Sequence, residues 1–225
     1  MRRSYFFVSV LISILLIIPL IPPLISVSSE TLVARFDNVR LSTAPGILPE
    51  AIDAALSEIN RLSKKLPPIF DEKWHIRLAG PCRQSRDGSL VTGFCFPARG
   101  TAVILAPCGG MLGPILAPDP SSGRTLTLQP AEPAVPCYVA ATVSHEVGHL
   151  VRFEFFPPDE FQQYLRVRNW QCDTDPEELF AEDFRWLFGS ELAKDVPFQA
   201  NGVALPGEKE RKFILRNVGH KLRNP

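Results

Sequence analysis

The pattern of apolar and polar positions divides this chain into an apolar start, a run of short alternating segments, a proline-broken middle and a helical second half. Thr31 to Arg40 alternates Leu32, Ala34 and Phe36 with polar residues, as a short strand or an extended linker would. Between Leu48 and Lys65, Ile52, Leu56, Ile59 and Leu62 recur at three- and four-residue spacing and predict an amphipathic helix. Pro49 suits its first turn, and Pro67-Pro68 ends it. Trp74 to Ala79 alternates as a strand, Gly93 to Phe96 reads as a second, and Thr101 to Leu105 as a third, rich in β-branched residues. Eight prolines then fall between Pro97 and Pro136. That density predicts irregular surface over a cleft, with a little β structure at Leu126 to Leu128.

The second half is helical. Val139 to Phe156 holds no proline, mixes small and apolar residues, and is stopped by Pro157-Pro158. Pro158 to Asn169 follows as a short amphipathic helix. In Asp175 to Gly189, Asp175 can cap, Pro176 suits the first turn, and Leu179, Phe180, Phe184, Leu187 and Phe188 supply the apolar face. Gly207 to His220 is the last helix, with Phe213, Ile214 and Val218 apolar.

Composition narrows the class. The N-terminus pairs Arg2-Arg3 with an apolar run from Tyr5 to Val27, closed by Val27-Ser28-Ser29. A basic start, an apolar stretch and small residues at the end are the marks of an export signal. The run is also long enough to span a bilayer, so residues 1–29 are expected to be either a cleaved signal peptide or an uncleaved membrane tether. The protein is then secreted, or anchored on the outer face of the cytoplasmic membrane, with residues 30–225 as one domain. The 24 basic and 24 acidic side chains balance, with no run of like charge. Nucleic-acid binding, which needs a basic patch to displace counterions, is not expected. The five cysteines, Cys82, Cys95, Cys108, Cys137 and Cys172, all follow the apolar start. An oxidising compartment permits disulfides, and an odd count leaves a thiol over. Two bridges are expected, with Cys82 and Cys95 the foremost pair.

The chemistry lies in His145-Glu146-Val147-Gly148-His149. An α-helix turns about 100° per residue, so residues four apart share one face. Two imidazoles so placed can point at one Zn²⁺, and Glu146 can reach the water such a metal activates and act as general base. Two of only four histidines fall at this spacing around a glutamate. His75, which stands alone in its strand, is expected to be an ordinary strand residue, and His220 part of a frayed terminus. A catalytic zinc needs a third protein ligand and an open position. Leu150 to Phe156 lacks the glycine and third histidine of H-E-x-x-H-x-x-G-x-x-H, which excludes the metzincin pattern. The downstream carboxylates are therefore the source, and Glu178 and Glu182 sit four apart on one helix face. The expected arrangement has Glu178 as ligand and Glu182 hydrogen-bonding a ligand histidine from behind. Asp175-x-x-Glu178 is also a capping-box spacing, and Glu182 could instead pair with Arg185.

H-E-V-G-H followed some thirty residues later by E-L-F-A-E-D-F-R resembles the glutamate-ligand zinc metallopeptidases (gluzincins) around the catalytic domain of anthrax toxin lethal factor and its small bacterial relatives. The resemblance covers roughly Ala140 to Gly189. It implies zinc on His145, His149 and Glu178, with Glu146 as the base. It also implies an α+β zincin-like domain, with a small, mostly antiparallel sheet, an active-site helix and a glutamate helix. In zincins an edge strand above the active-site helix holds the substrate in extended form. Thr101, Ala102, Val103, Ile104 and Leu105 are the residues expected to fill that role. The family's tyrosine before the ligand glutamate has no counterpart in Val167 to Asp175, leaving Tyr138 and Tyr164 as possible oxyanion donors. The expected activity is zinc-dependent hydrolysis of a peptide or protein substrate outside the cytoplasm. The rival is a non-catalytic extracytoplasmic zinc protein that binds peptides or uses the metal for structure. Nothing in the sequence fixes the oligomeric state.

Overall fold

A computed structural model describes residues 30–80, 83–84, 90–106, 115–118, 125–128, 134–170, 175–198 and 203–221. The N-terminal segment and Cys82, Cys108 and Cys172 lie outside these residues, as does the His220 side chain. The chain is α+β. In order it forms β1 (Thr31–Phe36), β2 (Val39–Thr43), α1 (Pro49–Lys65), β3 (His75–Ala79), β4 (Arg83–Gln84), β5 (Leu90–Val91), β6 (Gly93–Phe96) and β7 (Thr101–Leu105). There follow β8 (Ile115–Pro118), β9 (Thr125–Leu128), α2 (Ala134–Phe155), α3 (Pro158–Arg168), α4 (Pro176–Phe188), α5 (Glu191–Lys194) and α6 (Glu208–Lys221). Thr31 to Arg40 is thus the start of a hairpin rather than a linker, turned at Asp37 with φ of 50°. A short aspartate tolerates that left-handed conformation.

Five strands make the main sheet, in the order β1-β2-β3-β7-β6. The sheet is mixed, which corrects the expectation of a mostly antiparallel one. β1–β2 and β7–β6 run antiparallel, while β2–β3 and β3–β7 run parallel. The cause is the connection between β2 and β3. Helix α1 carries the chain back along the sheet, so the next strand enters in the same direction. A second correction concerns Thr101, Ala102, Val103, Ile104 and Leu105. As β7 they are paired on both sides, by β3 and by β6, and cannot be an edge. The edges are β1 and β6, and β6 is the one that touches α2. The proline-rich middle carries a β8–β9 hairpin, of which only Leu126 to Leu128 was anticipated.

Strand alternation sends Val39, Leu41, Ile76, Leu78, Ala102 and Ile104 to one face, where all are buried. The stripe of α1 (Ala51, Ala55, Ile59, Leu62) joins the same core at zero exposure. Helix α2, 22 residues long, runs through this layer and touches α1, α4, α5, β6 and β7. Its far end is fixed by an aromatic cluster. Phe180 lies 4.8 Å from Phe156, 4.9 Å from Tyr164 and 6.1 Å from Phe161, ring centre to ring centre. Truncating a buried phenylalanine costs about 3–5 kcal/mol, so this cluster is a main tie between α2, α3 and α4. No helix among the described residues is long and apolar enough to cross a membrane.

Candidate metal centre

His145 and His149 sit one turn apart on α2, their rings 4.9 Å apart and nearly perpendicular. Across from them stands Glu178 on α4. Its Oε2 is 3.1 Å from His145 Nε2 and its Oε1 is 3.4 Å from His149 Nε2. One ligand atom from each of the three residues falls within 4.8 Å of the others, and they form the one such group of three among the described residues. Donors held about 2.0–2.1 Å from a tetrahedral metal are separated by roughly 3.3 Å. The observed separations are of that size, and two imidazoles with one carboxylate is a donor set that suits zinc.

Two features bring α4 this close. The first is Gly148, between the ligand histidines. A methyl group at Gly148 would lie 2.9 Å from Ala181 Cα and 3.0 Å from its carbonyl oxygen. A glycine in mid-helix costs about 0.5–1 kcal/mol relative to alanine, and here it lets the two helix backbones meet. The second is the start of α4. Asp175 caps it, accepting from the Glu177 amide at 2.8 Å. The Glu178 carboxylate faces the histidines rather than the Asp175 amide that a capping box would use. Its hydrogen bonds with His145 and His149 hold its carboxyl well below the usual carboxylate range.

Behind His145 stands Glu182, 3 % exposed, with Oε2 at 3.2 Å from His145 Nδ1. A proton kept on Nδ1 and donated to this carboxylate would leave the Nε2 lone pair for a bound metal. Burial pushes the His145 pKa down, but its hydrogen bonds to Glu178 and Glu182 outweigh it and raise it to about 9. Glu182 is itself held. Arg185 donates from Nε to Glu182 Oε2 at 2.9 Å and from Nη2 to the other oxygen. The same guanidinium donates to the carbonyls of Ala193, Val196 (3.0 Å) and Pro197 (3.1 Å). Both sequence readings of Glu182 are therefore present at once, since it faces the histidine and pairs with Arg185.

Glu146 is 4 % exposed, and its Oε2 has no hydrogen-bond partner among the described residues. An unpaired buried carboxylate oxygen is costly, and burial raises its pKa above the ordinary value. Directly over it passes β6. A methyl on Gly93 would fall 2.5 Å from Glu146 Oε1 and 2.8 Å from Thr142 Cγ2. Ser144, just before the first histidine, donates to the buried Glu58 of α1, which also accepts from the Ser190 amide at 3.1 Å. That contact ties α1 and the α4–α5 junction to the motif helix.

The remaining sequence candidates fall elsewhere. Tyr164 is fully buried and donates to Asp183 Oδ2 at 2.6 Å, beside Arg168 at 2.8 Å. Its hydroxyl is committed to that network, which removes it as an oxyanion donor. Tyr138 is half-buried on α2, seven residues before His145 and so on the same helix face. His75 is a strand residue bonded to Ser42 Oγ at 2.7 Å, and burial followed by the nearby Arg40 charge lowers its pKa to about 4. Cys95 carries a free thiol, so the expected Cys82–Cys95 bridge is not formed. Burial, then the charge of Glu146, pushes the Cys95 thiol up to about 12. Sequence reasoning missed Gly93, Gly148 and Glu58. The glycine inside the motif was a signal for close helix approach, whereas Gly93 and Glu58 gave none, because each depends on a distant partner.

Comparisons of this chain with known protein families, with curated proteins and with solved structures found no match.

Proposed function

We propose that this chain is a zinc-dependent endopeptidase with a zincin-like domain, acting on peptide or protein substrates outside the cytoplasm. The observation that carries the reading is the convergence of His145, His149 and Glu178 beside the orphaned, buried carboxylate of Glu146. His145, His149 and Glu178 would hold the ion. Bound there, zinc would supply Lewis-acid polarisation of a peptide carbonyl and lower the pKa of the attacking water. Glu146 accepts that water's proton on its carboxylate and hands it to the departing amine nitrogen. A pKa raised by burial suits this shuttle, since the same group must take the proton and then release it. Glu182 fixes the His145 tautomer, and Arg185 fixes Glu182. The strand that receives the substrate is β6, an edge of the sheet among the described residues, whose Gly93 lies against the base.

A purely structural zinc site has no use for a base beside it, and such sites are closed by four protein ligands. The commitment of Tyr164 to Asp183 is the one observation that favours a non-catalytic zinc protein. Hydrolysis of a fluorogenic peptide library, with and without a chelator, separates the two. The peptidase reading expects cleavage that the chelator abolishes and added zinc restores. A zinc-loaded chain that cleaves no member of the library overturns it.

A further inference from the structure

Strand β6 shows two different faces. Gly93 and Cys95 turn toward α2, and Phe94 and Phe96 turn to the opposite side of the sheet. The two phenylalanine rings pack edge to face with centres 5.3 Å apart. They are 36 % and 41 % exposed, unusual for two neighbouring aromatics on one strand face. The Arg99 guanidinium lies 5.8 Å from the Phe96 ring centre, at the rim of the patch.

Backbone hydrogen-bonding phase links this patch to the metal centre. In an antiparallel pair, residues alternate between those bonded to the partner strand and those turned away from it. The Leu105 amide donates to the Thr92 carbonyl at 2.7 Å, which sets the phase. Phe94 and Phe96 therefore direct their backbone groups at β7. Gly93 and Cys95 direct theirs at the open edge, which has no strand beside it among the described residues. A docked extended segment would bond to Gly93 and Cys95, the positions nearest Glu146. The pleat would put its residues opposite Phe94 and Phe96 on the aromatic face.

Building on the peptidase reading, we infer that Phe94 and Phe96 set substrate choice. They select extended peptides carrying aromatic or large apolar side chains at two positions two residues apart, along the stretch that lies on β6. The edge backbone supplies sequence-independent hydrogen bonds, while the aromatic pair supplies the discrimination.

The test is a displayed peptide library selected on the full chain carrying Glu146→Gln, loaded with zinc so that binding is read without turnover. Enrichment of aromatic or large apolar residues at positions i and i+2 is expected. It should vanish in the Phe94→Ser/Phe96→Ser double variant and persist as an aliphatic preference in Phe94→Leu/Phe96→Leu. Both side chains are exposed, so the fold and the zinc content should survive, as checked by circular dichroism and metal analysis. In the active chain, KM for a selected peptide should rise roughly two- to thirtyfold in the double serine variant, the span of two aromatic cross-strand pairs. An enrichment pattern unchanged by the serine substitutions, or one with no two-residue period, overturns the inference. A native chain that hydrolyses nothing sinks the peptidase reading alone, because the binding selection is scored without cleavage.

Discussion

Gly93 lies directly over Glu146, so close that a methyl on the strand residue would come within 2.5 Å of the glutamate Oε1 and 2.9 Å of its Cδ. The sheet edge and the general base thus occupy adjoining space, and only a residue without a side chain fits between them. In Gly93→Ala the flexible Glu146 carboxylate and the Thr142 methyl, 2.8 Å away, must both give way. The loss should therefore fall on chemistry first, with some cost to packing as well. A displacement of about 1 Å in a reacting group costs on the order of a hundredfold in rate. Steady-state kinetics should show kcat/KM reduced by about that factor, with zinc content unchanged.

The two glutamates of α4 differ in what they face, and metal affinity should separate them. Glu178 touches both histidine Nε2 atoms, whereas Glu182 meets His145 from the Nδ1 side. Competition with a zinc chelator should find Glu178→Ala unable to hold the ion. Glu182→Ala should hold it with affinity weakened about 10- to 100-fold. The opposite order would exchange the two roles.

Arg185 is the hidden support of this arrangement. It is 2 % exposed, gripped by Glu182 and by three carbonyls of the segment after α4. Removing one partner of a buried ion pair costs about 3–5 kcal/mol, because the other charge is left behind. Arg185→Met should lower stability by that amount in a urea titration. Arg185→Met combined with Glu182→Met, which removes both charges, should recover part of the loss.

His75 gives the fold an acid limit far from the metal. Its pKa falls from an ordinary 6.5 to about 4 in the folded chain. Between those values the unfolded chain binds a proton that the folded chain does not, so stability rises with pH across the window and is lost as pH falls through it. The unfolding free energy measured from pH 7 down to pH 4 should drop more steeply in the native chain than in His75→Gln. Equal slopes would refute this assignment.

The sequence made some of this legible and hid the rest, for physical reasons. Helix α1, the H-E-x-x-H helix and α4 were readable because a stripe of apolar residues and a cap are local signals. Spacing alone put His145 with His149 and Glu178 with Glu182 on shared faces. Which strand is the edge was not readable. β6 and β7 have similar short apolar sequences, and their order depends on pairing with β3, nearly thirty residues before. Tyr164 enters only as a stand-in for the tyrosine that Val167 to Asp175 lacks, but Asp183, itself held by Arg168, claims its hydroxyl. Gly148 could be seen as a glycine, yet its purpose appears only when Ala181 is against it.

The most direct test of the central claim is zinc stoichiometry and peptide hydrolysis measured together on Glu146→Gln. Glutamine keeps the shape of the side chain and removes the base. The account predicts one zinc per chain and hydrolysis reduced to background. Hydrolysis at the native rate with zinc in place would contradict Glu146 as the base. Native activity in a preparation that holds no zinc would contradict the metal mechanism itself.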